Sequence, residues 1–74
     1  MSLTVGEKLI GKFNPNDFED IARIKELSKD LIDAIEVLKS QASDSLAKEV
    51  CDRAKLDVLN AQMLAVKSKY ILVS

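Results

Sequence analysis

One aromatic and several cationic side chains occur close together in the first third of the chain, around its single proline. The group comprises Lys12, Phe13, Asn14, Arg23 and Lys25. An aromatic ring stacks on nucleobases, and lysine and arginine bind phosphate, so these residue types suit a nucleotide-like anion. Spacing alone leaves another reading open, in which Phe13 packs on Phe18 as a hydrophobic staple and the cations are ordinary surface charges.

The residues that catalysis usually requires are mostly missing. The chain contains no histidine, which is the commonest general base and the partner of nucleophilic serine or cysteine. It has no glycine-rich phosphate loop, and its carboxylates alternate with lysines as on solvated helix faces. The only cysteine, Cys51, has apolar neighbours and is predicted to pack in a core or an interface rather than to react. We therefore predict that the protein is not an enzyme, with no catalytic residue, metal site or cofactor.

Length and charge restrict the class of protein further. The 74 residues suffice for one domain, taken as residues 1–74, and the net charge of −1 argues against a general DNA- or RNA-binding protein. No apolar run has the length of a membrane span or the pattern of a signal peptide. A single cysteine fits a reducing compartment. We expect no membrane partner and a cytoplasmic location.

The composition predicts an all-α fold that begins with a short helix. Alanine, leucine, lysine and acidic residues dominate, and neither glycine nor proline follows Pro15. Thr4 and Glu7 have the spacing of a capping box. Asn14 is a suitable N-cap for a second helix with Pro15 at its first position, so the proline should mark a kink between the two helices.

Two long helices should follow the kink and form an antiparallel hairpin. The predicted helices span about 4–11, 15–39 and 44–70, and the turn lies near 40–43. Ser43 or Asp44 should cap the last helix. On the exposed face of the second helix, the spacing predicts two i,i+4 ion pairs, Glu19/Arg23 and Lys29/Asp33.

The last helix has more apolar surface than a hairpin partner can cover. Between Leu56 and Val66 only Asp57, Asn60 and Gln62 interrupt the apolar residues. A helix that is apolar on most sides is normally buried on most sides, so we predict a homo-oligomer joined through this helix. The alternative is a structural or adaptor hairpin that binds another protein through the same apolar face.

Several short motifs resemble those of a known family. The run Phe13-Asn14-Pro15, followed by Ile24-Lys25 and Leu31-Ile32-Asp33, resembles the first long helix of the phage anti-CBASS sponge proteins. The run from Ala61 to Lys67, AQMLAVK, resembles their second long helix. The same hairpin domain occurs in the phage anti-Thoeris sponges, and the resemblance covers about residues 9–69.

The resemblance implies a function. Proteins of this family bind and sequester cyclic dinucleotides, such as cyclic GMP-AMP, and thereby block activation of the CBASS effector in the cytoplasm of the infected bacterial host. They are hexamers that hold these ligands between subunits, and some members also hold cyclic trinucleotides. The resemblance therefore implies immune evasion by a homohexamer.

The family's ligand-binding residues map onto this chain at a few positions. Phe13 matches the aromatic residue that stacks on the base, and Lys25 matches the lysine that contacts phosphate. Arg53 matches more loosely an arginine of the trinucleotide site. The chain departs from the family at Leu64, where tryptophan is usual, and at Leu27, where a small hydroxyl residue is common. Phe13 itself replaces a tyrosine, so stacking is kept while a phenolic hydrogen bond is lost.

Overall fold

The described part of the structure, a computed structural model, comprises residues 2–11 and 16–73. These residues form three helices in the order α1 (Val5–Ile10), α2 (Glu19–Ser40) and α3 (Ser45–Val73). No strand occurs among them, so the predicted all-α class is confirmed. The Cα atoms extend over 46 × 28 × 13 Å, so the molecule is elongated.

The first helix begins with the predicted capping box. The amide of Glu7 donates to Oγ1 of Thr4 at 3.1 Å, and the amide of Thr4 donates to Oε1 of Glu7 at 3.0 Å. The helix ends at Gly11, whose φ of +83° is favourable only for glycine. Six residues are too few for a helix that is stable alone, so α1 depends on its contact with α2.

Asp33 of α2 accepts the hydrogen bonds that hold the first helix against α2. Its Oδ2 accepts a hydrogen bond from the hydroxyl of Thr4 at 3.0 Å, and its Oδ1 accepts one from the amide of Gly6 at 2.7 Å. A Cβ atom on Gly6 would lie 2.7 Å from Oδ1 and would collide with the carbonyl oxygen of Lys29. The predicted Lys29/Asp33 ion pair is therefore wrong, because both oxygens of Asp33 bind α1. Lys29 pairs instead with two nearer carboxylates, those of Glu26 and Asp30.

The second helix begins four residues later than predicted. Asn16, Asp17 and Phe18 are not helical, and the helix starts at Glu19 without a side-chain cap. The carboxylate of Asp17 lies 2.7 Å from the ammonium of Lys25, eight residues further along. Residues eight apart in one helix are separated by about 12 Å along its axis, so this ion pair requires the chain before Glu19 to leave the helix. A start at position 15 is therefore wrong, and the predicted cap and kink residues fall outside the described ranges.

The turn between the long helices lies where the sequence places it. The second helix ends at Ser40, and the third begins at Ser45. Oδ1 of Asp44 accepts a hydrogen bond from the amide of Leu46 at 2.7 Å, so Asp44 rather than Ser43 is the cap. The third helix continues to Val73, three residues beyond its predicted end.

Ion pairs across the hairpin show that the two long helices are antiparallel. Near the turn, the ammonium of Lys39 lies 2.7 Å from the carboxylate of Asp52. One turn further on, the ammonium of Lys55 lies 2.5 Å from Glu36 and 3.1 Å from Asp52. Lys55 is almost fully buried, so this charge sits inside the helix interface and is stabilised by two carboxylates.

The cross-hairpin ion pairs also shift two ionisation equilibria. The hydrogen bond to Glu36 raises the pKa of Lys55 above its ordinary value of 10.5, and the bond to Asp52 adds to the effect. The hydrogen bond from Lys39, followed by the one from Lys55, lowers the pKa of Asp52 below 3.8. Each charge therefore stabilises the charged form of its partner.

Little apolar surface is buried within the chain. Of the described residues, the fully buried apolar side chains are those of Ile21 and Ile32, and the buried residues of α3 are Lys55 and Gln62. The buried part of α3 thus includes the two polar residues Lys55 and Gln62, with half-buried apolar residues such as Leu59 and Val66 beside them. Large apolar side chains are exposed on both long helices: Leu27, Leu31, Val37 and Leu38 on α2, and Leu46, Val50, Leu56, Met63 and Leu64 on α3.

Candidate functional site

Half of the predicted ligand-binding residues lie outside the described part of the structure. Lys12, Phe13 and Asn14 belong to residues 12–15, which lie outside the described ranges. Their predicted roles, base stacking by Phe13 above all, therefore stay predictions. The other three predicted residues are Arg23, Lys25 and Arg53, and the structure places each of them.

Lys25 already has a partner. Its ammonium forms an ion pair with the carboxylate of Asp17, and only 17% and 7% of the two side chains are exposed. The pair ties the residues before α2 to the second turn of that helix. In the protein without ligand, Lys25 therefore has an architectural role, and a phosphate at this lysine would have to share it with Asp17 or displace Asp17.

Arg23 lies in the first turns of α2 and is exposed. Its predicted i,i+4 partner is Glu19, but the two side chains form no ion pair, so that prediction is wrong. Within residues 2–11 and 16–73, the structure gives neither side chain an ion pair or a hydrogen bond. The guanidinium of Arg23 and the carboxylate of Glu19 are thus available to a ligand.

Arg53 is remote from the other candidates. It lies in the third turn of α3, its side chain is 80% exposed, and its Nε lies 3.8 Å from the carboxylate of Asp57. Lys69, at the far end of the same helix, contacts Phe18 just before α2. The 16 residues between Arg53 and Lys69 place them about 24 Å apart along the helix, so Arg53 does not share a site with Arg23.

The open end of the hairpin holds an aromatic cluster that the sequence reading missed. The ring centres of Phe18 and Tyr70 lie 6.1 Å apart at 62°, an edge-to-face arrangement. The ammonium of Lys69 lies 5.0 Å from the centre of the Phe18 ring, within the range of a cation–π contact. Spacing could not reveal this cluster, because Phe18 and Tyr70 are far apart in sequence and meet only when the hairpin closes.

A pocket of about 460 Å³ opens beside this cluster. Its lining is formed by Phe18, Glu19, Asp20, Arg23 and Lys69. The ammonium of Lys69 lies 2.9 Å from the carboxylate of Asp20, and this hydrogen bond holds the pKa of Asp20 below its ordinary value of 3.8. The pocket therefore combines an aromatic face, the ion pair of Lys69 with Asp20, and two charges of opposite sign, Glu19 and Arg23, that have no partner among the described residues.

A second groove, of about 470 Å³, runs between α1 and α2. Its lining includes Leu3, Thr4, Val5, Asp33 and Val37. The carboxylate of Asp33 is already bound to Thr4 and Gly6, so in this groove it holds α1 rather than a ligand.

Other kinds of site find little support. No cluster of three or more cysteine or acidic side chains suited to a metal ion occurs in the described part of the chain. Among the same residues, no helix is long and apolar enough to cross a membrane. Cys51 is half-buried on α3, in keeping with the prediction that it packs.

Comparison with protein-family models, curated proteins and solved structures gives no match to this chain.

Proposed function

We propose that this chain is a non-enzymatic binding protein that forms a homo-oligomer and sequesters cyclic dinucleotides such as cyclic GMP-AMP. In the cytoplasm of an infected bacterial host, this sequestration would block activation of the CBASS effector. The motifs around Phe13, Lys25 and Ala61 are the basis for the choice of ligand, because they resemble those of the phage sponge proteins. A second, trinucleotide site at Arg53 is part of the same proposal.

The observation that carries the proposal is the grouping of cationic and aromatic side chains at the open end of the hairpin. Phe18, Arg23, Lys25 and Lys69 all lie there, at the start of α2 and the end of α3. In the sequence, residues 12–15, which include Phe13, come shortly before Phe18. Stacking surfaces and cations in one place suit a ligand made of bases and phosphates. Arg23 can contact a phosphate directly, whereas Lys25 and Lys69 would have to exchange Asp17 and Asp20 for it.

The exposed apolar surface supports the homo-oligomer. A folded monomer of 8.2 kDa is expected to have about 4,500 Å² of accessible surface, whereas this chain has 5548 Å². The excess of about 1,000 Å² is close to the roughly 800 Å² that each partner buries in a stable protein interface. The radius of gyration, 13.8 Å, also exceeds the roughly 11 Å of a compact domain of this length. The hexameric number comes from the resemblance alone.

Isothermal titration calorimetry of the full chain with cyclic GMP-AMP, cyclic di-GMP and cyclic di-AMP tests the proposal. Sequestration at signalling concentrations needs a dissociation constant below about 10 μM, or roughly 7 kcal/mol of binding free energy. We expect at least one of these ligands to bind that tightly. If none does, the sequestration function is wrong.

Matched variants test the predicted residues. Phe13→Ala and Lys25→Ala should each weaken binding while circular dichroism shows unchanged helix content. Lys29→Ala is the control, because it removes the same charge one turn further along α2, where the lysine only pairs with Glu26 and Asp30. Equal losses for the two lysine variants would point to general electrostatics rather than to a specific contact.

The adaptor hairpin is the second candidate, favoured by the exposed Leu56, Met63 and Leu64 of α3. Size-exclusion chromatography with light scattering separates the two functions. A monomer near 8.2 kDa that binds no cyclic dinucleotide would support the adaptor, because its apolar face would then be free for another protein.

A further inference from the structure

We propose that the pocket at the open end of the hairpin, lined by Phe18, Glu19, Asp20, Arg23 and Lys69, is a binding site for a guanine base. The proposal stands on this pocket's own geometry. Only its extension to guanine-containing cyclic dinucleotides rests on the proposed function.

The ring of Phe18 supplies a fixed stacking surface. The ring of Tyr70 packs against the Phe18 ring in an edge-to-face arrangement. The ammonium of Lys69 lies over one face of the Phe18 ring, 5.0 Å from its centre. Phe18 nevertheless keeps 43% of its surface exposed. A flat base can therefore stack on the exposed part of a ring whose orientation is already set, which reduces the entropy lost on binding.

Lys69 and Asp20 form an ion pair with each other in the wall of the pocket. Their charged groups lie 2.9 Å apart, so neither is an open partner for a ligand. Among the described residues that line the pocket, two side chains are acidic and two are basic, so their charges cancel. A neutral base suits such a pocket better than a bare phosphate does, because a phosphate would meet the two carboxylates as well as the cations.

Glu19 and Arg23 define which base fits. They lie one helical turn apart, with an expected Cβ separation of about 6 Å, and neither side chain has an ion pair or hydrogen bond in the part of the chain that the structure describes. A carboxylate accepts two parallel hydrogen bonds, and a guanidinium donates two. Guanine matches both side chains. Its N1–H and N2–H can donate to the carboxylate, while its O6 and N7 can accept from the guanidinium.

Adenine lacks this combination. Its N1 and N7 accept and its single amino group donates, so it cannot give two parallel donors to Glu19 while offering O6 and N7 to Arg23. Uracil and cytosine are smaller and cover less of the Phe18 ring. Because a base with the wrong edge would form fewer hydrogen bonds with Glu19 and Arg23, the pocket should discriminate between the purines.

Titration of the ¹⁵N-labelled full chain with GMP, followed by amide chemical shifts, tests the site directly. We expect saturable shifts at residues 18–23 and 69–70, and an affinity for GMP at least about fivefold higher than for AMP. Inorganic phosphate should cause no comparable shifts. Equal binding of GMP and AMP, or no shifts at these residues with GMP, would overturn the inference.

Two variants separate stacking from edge recognition. Phe18→Leu keeps an apolar contact but removes the aromatic face, and it should weaken GMP binding about tenfold. Glu19→Gln changes an exposed side chain that the fold does not use, and it should abolish the preference for GMP over AMP. Glu49→Gln, an exposed glutamate on α3 away from the pocket, is the control and should change neither. If Phe18→Leu lowers the helix content, Glu19→Gln still decides the question.

The outcome is distinguishable from failure of the sequestration function. If cyclic dinucleotides bind and Phe13→Ala removes that binding, while Glu19→Gln leaves the choice of base unchanged, the guanine pocket is wrong and sequestration stands. If GMP binds with the expected dependence on Glu19 but no cyclic dinucleotide binds below about 10 μM, the pocket stands and sequestration fails.

Discussion

The ammonium of Lys25 lies 2.7 Å from the carboxylate of Asp17, and both side chains are largely shielded from solvent. The pair connects Asp17, which precedes α2, to Lys25 in the second turn of that helix. It therefore determines where α2 begins. The lysine singled out as a phosphate contact is thus also a structural residue, so its substitution should lower the free energy of unfolding as well as the affinity, while the folded chain keeps its helix content.

Removing Asp17 should destabilise the protein. We expect Asp17→Ala to lower the free energy of unfolding by about 1.5–3 kcal/mol, since a hydrogen-bonded charge would lose its partner. Urea denaturation followed by circular dichroism measures the change. Asp30→Ala is the control, because its carboxylate is 61% exposed and lies 3.4 Å from Lys29, and it should cost less than about 0.5 kcal/mol. Equal costs for both variants would contradict the structural role of Asp17.

A methyl group at Gly6 should loosen α1. There is no room for a Cβ between this residue and the backbone of Lys29, so Gly6→Ala must move α1 away from Asp33. We expect a loss of about 1–3 kcal/mol of unfolding free energy and faster hydrogen exchange of the α1 amides. Lys8→Ala, an exposed position of the same helix, should change neither. Unaltered exchange in Gly6→Ala would show that α1 does not pack as described.

The ion pairs predict the pH dependence of stability. Asp20 and Asp52 have lowered pKa values, so their stabilising contribution is present above about pH 4 and is lost as the pH falls through their folded values. Lys55 has a raised pKa, so its contribution is present below about pH 10.5 and is lost as the pH rises through its higher folded value. The urea midpoint should therefore be level between about pH 5 and pH 9.5 and should fall on both sides.

One substitution tests which group causes the loss of stability on the acid side of the pH profile. Asp52→Asn removes the carboxylate shared by Lys39 and Lys55, so it should flatten the acid limb relative to the unmodified chain. Urea midpoints measured at pH 3, pH 7 and pH 10 are enough for the comparison. A midpoint that rises on acidification from pH 5 to pH 3 would contradict the cross-hairpin pairs.

Charges placed on the exposed apolar faces should break the proposed oligomer while the hairpin stays intact. Leu31→Glu on α2 and Leu64→Glu on α3 change side chains that are more than half exposed within one chain. Light scattering should show a shift toward the 8.2 kDa monomer, with unchanged helix content at low temperature. Asp30→Lys, a change at an exposed polar position of α2, should leave the mass unaltered. If both glutamate variants keep the mass of the unmodified chain, these faces do not join subunits.

The local features of this fold are readable from the sequence. The capping box of Thr4 and Glu7, the turn after Ser40 and the cap at Asp44 each depend on residues three or four apart. The excess of apolar residues on α3 is likewise a property of composition and helical period. These features follow from local hydrogen bonding and from the 3.6-residue repeat, so no knowledge of the tertiary structure is needed to see them.

Tertiary contacts decided the rest. The start of α2 depends on Asp17 meeting Lys25, and the position of α1 depends on Asp33 meeting Gly6. The sequence marks Asp33 only as a possible i,i+4 partner, since nothing local indicates that a carboxylate will bind amides 27 residues away.

The same limit applies to the candidate site. The sequence alone supplied the cations and aromatic residues near the proline and, through the resemblance, a ligand class. Only closure of the hairpin brings Lys69 onto the ring of Phe18, beside Glu19 and Arg23. Each charged side chain has several possible partners in the sequence, and it pairs with the one that lies nearest in space. That distance is set by the antiparallel packing of the two long helices, so it cannot be obtained from the helical repeat alone.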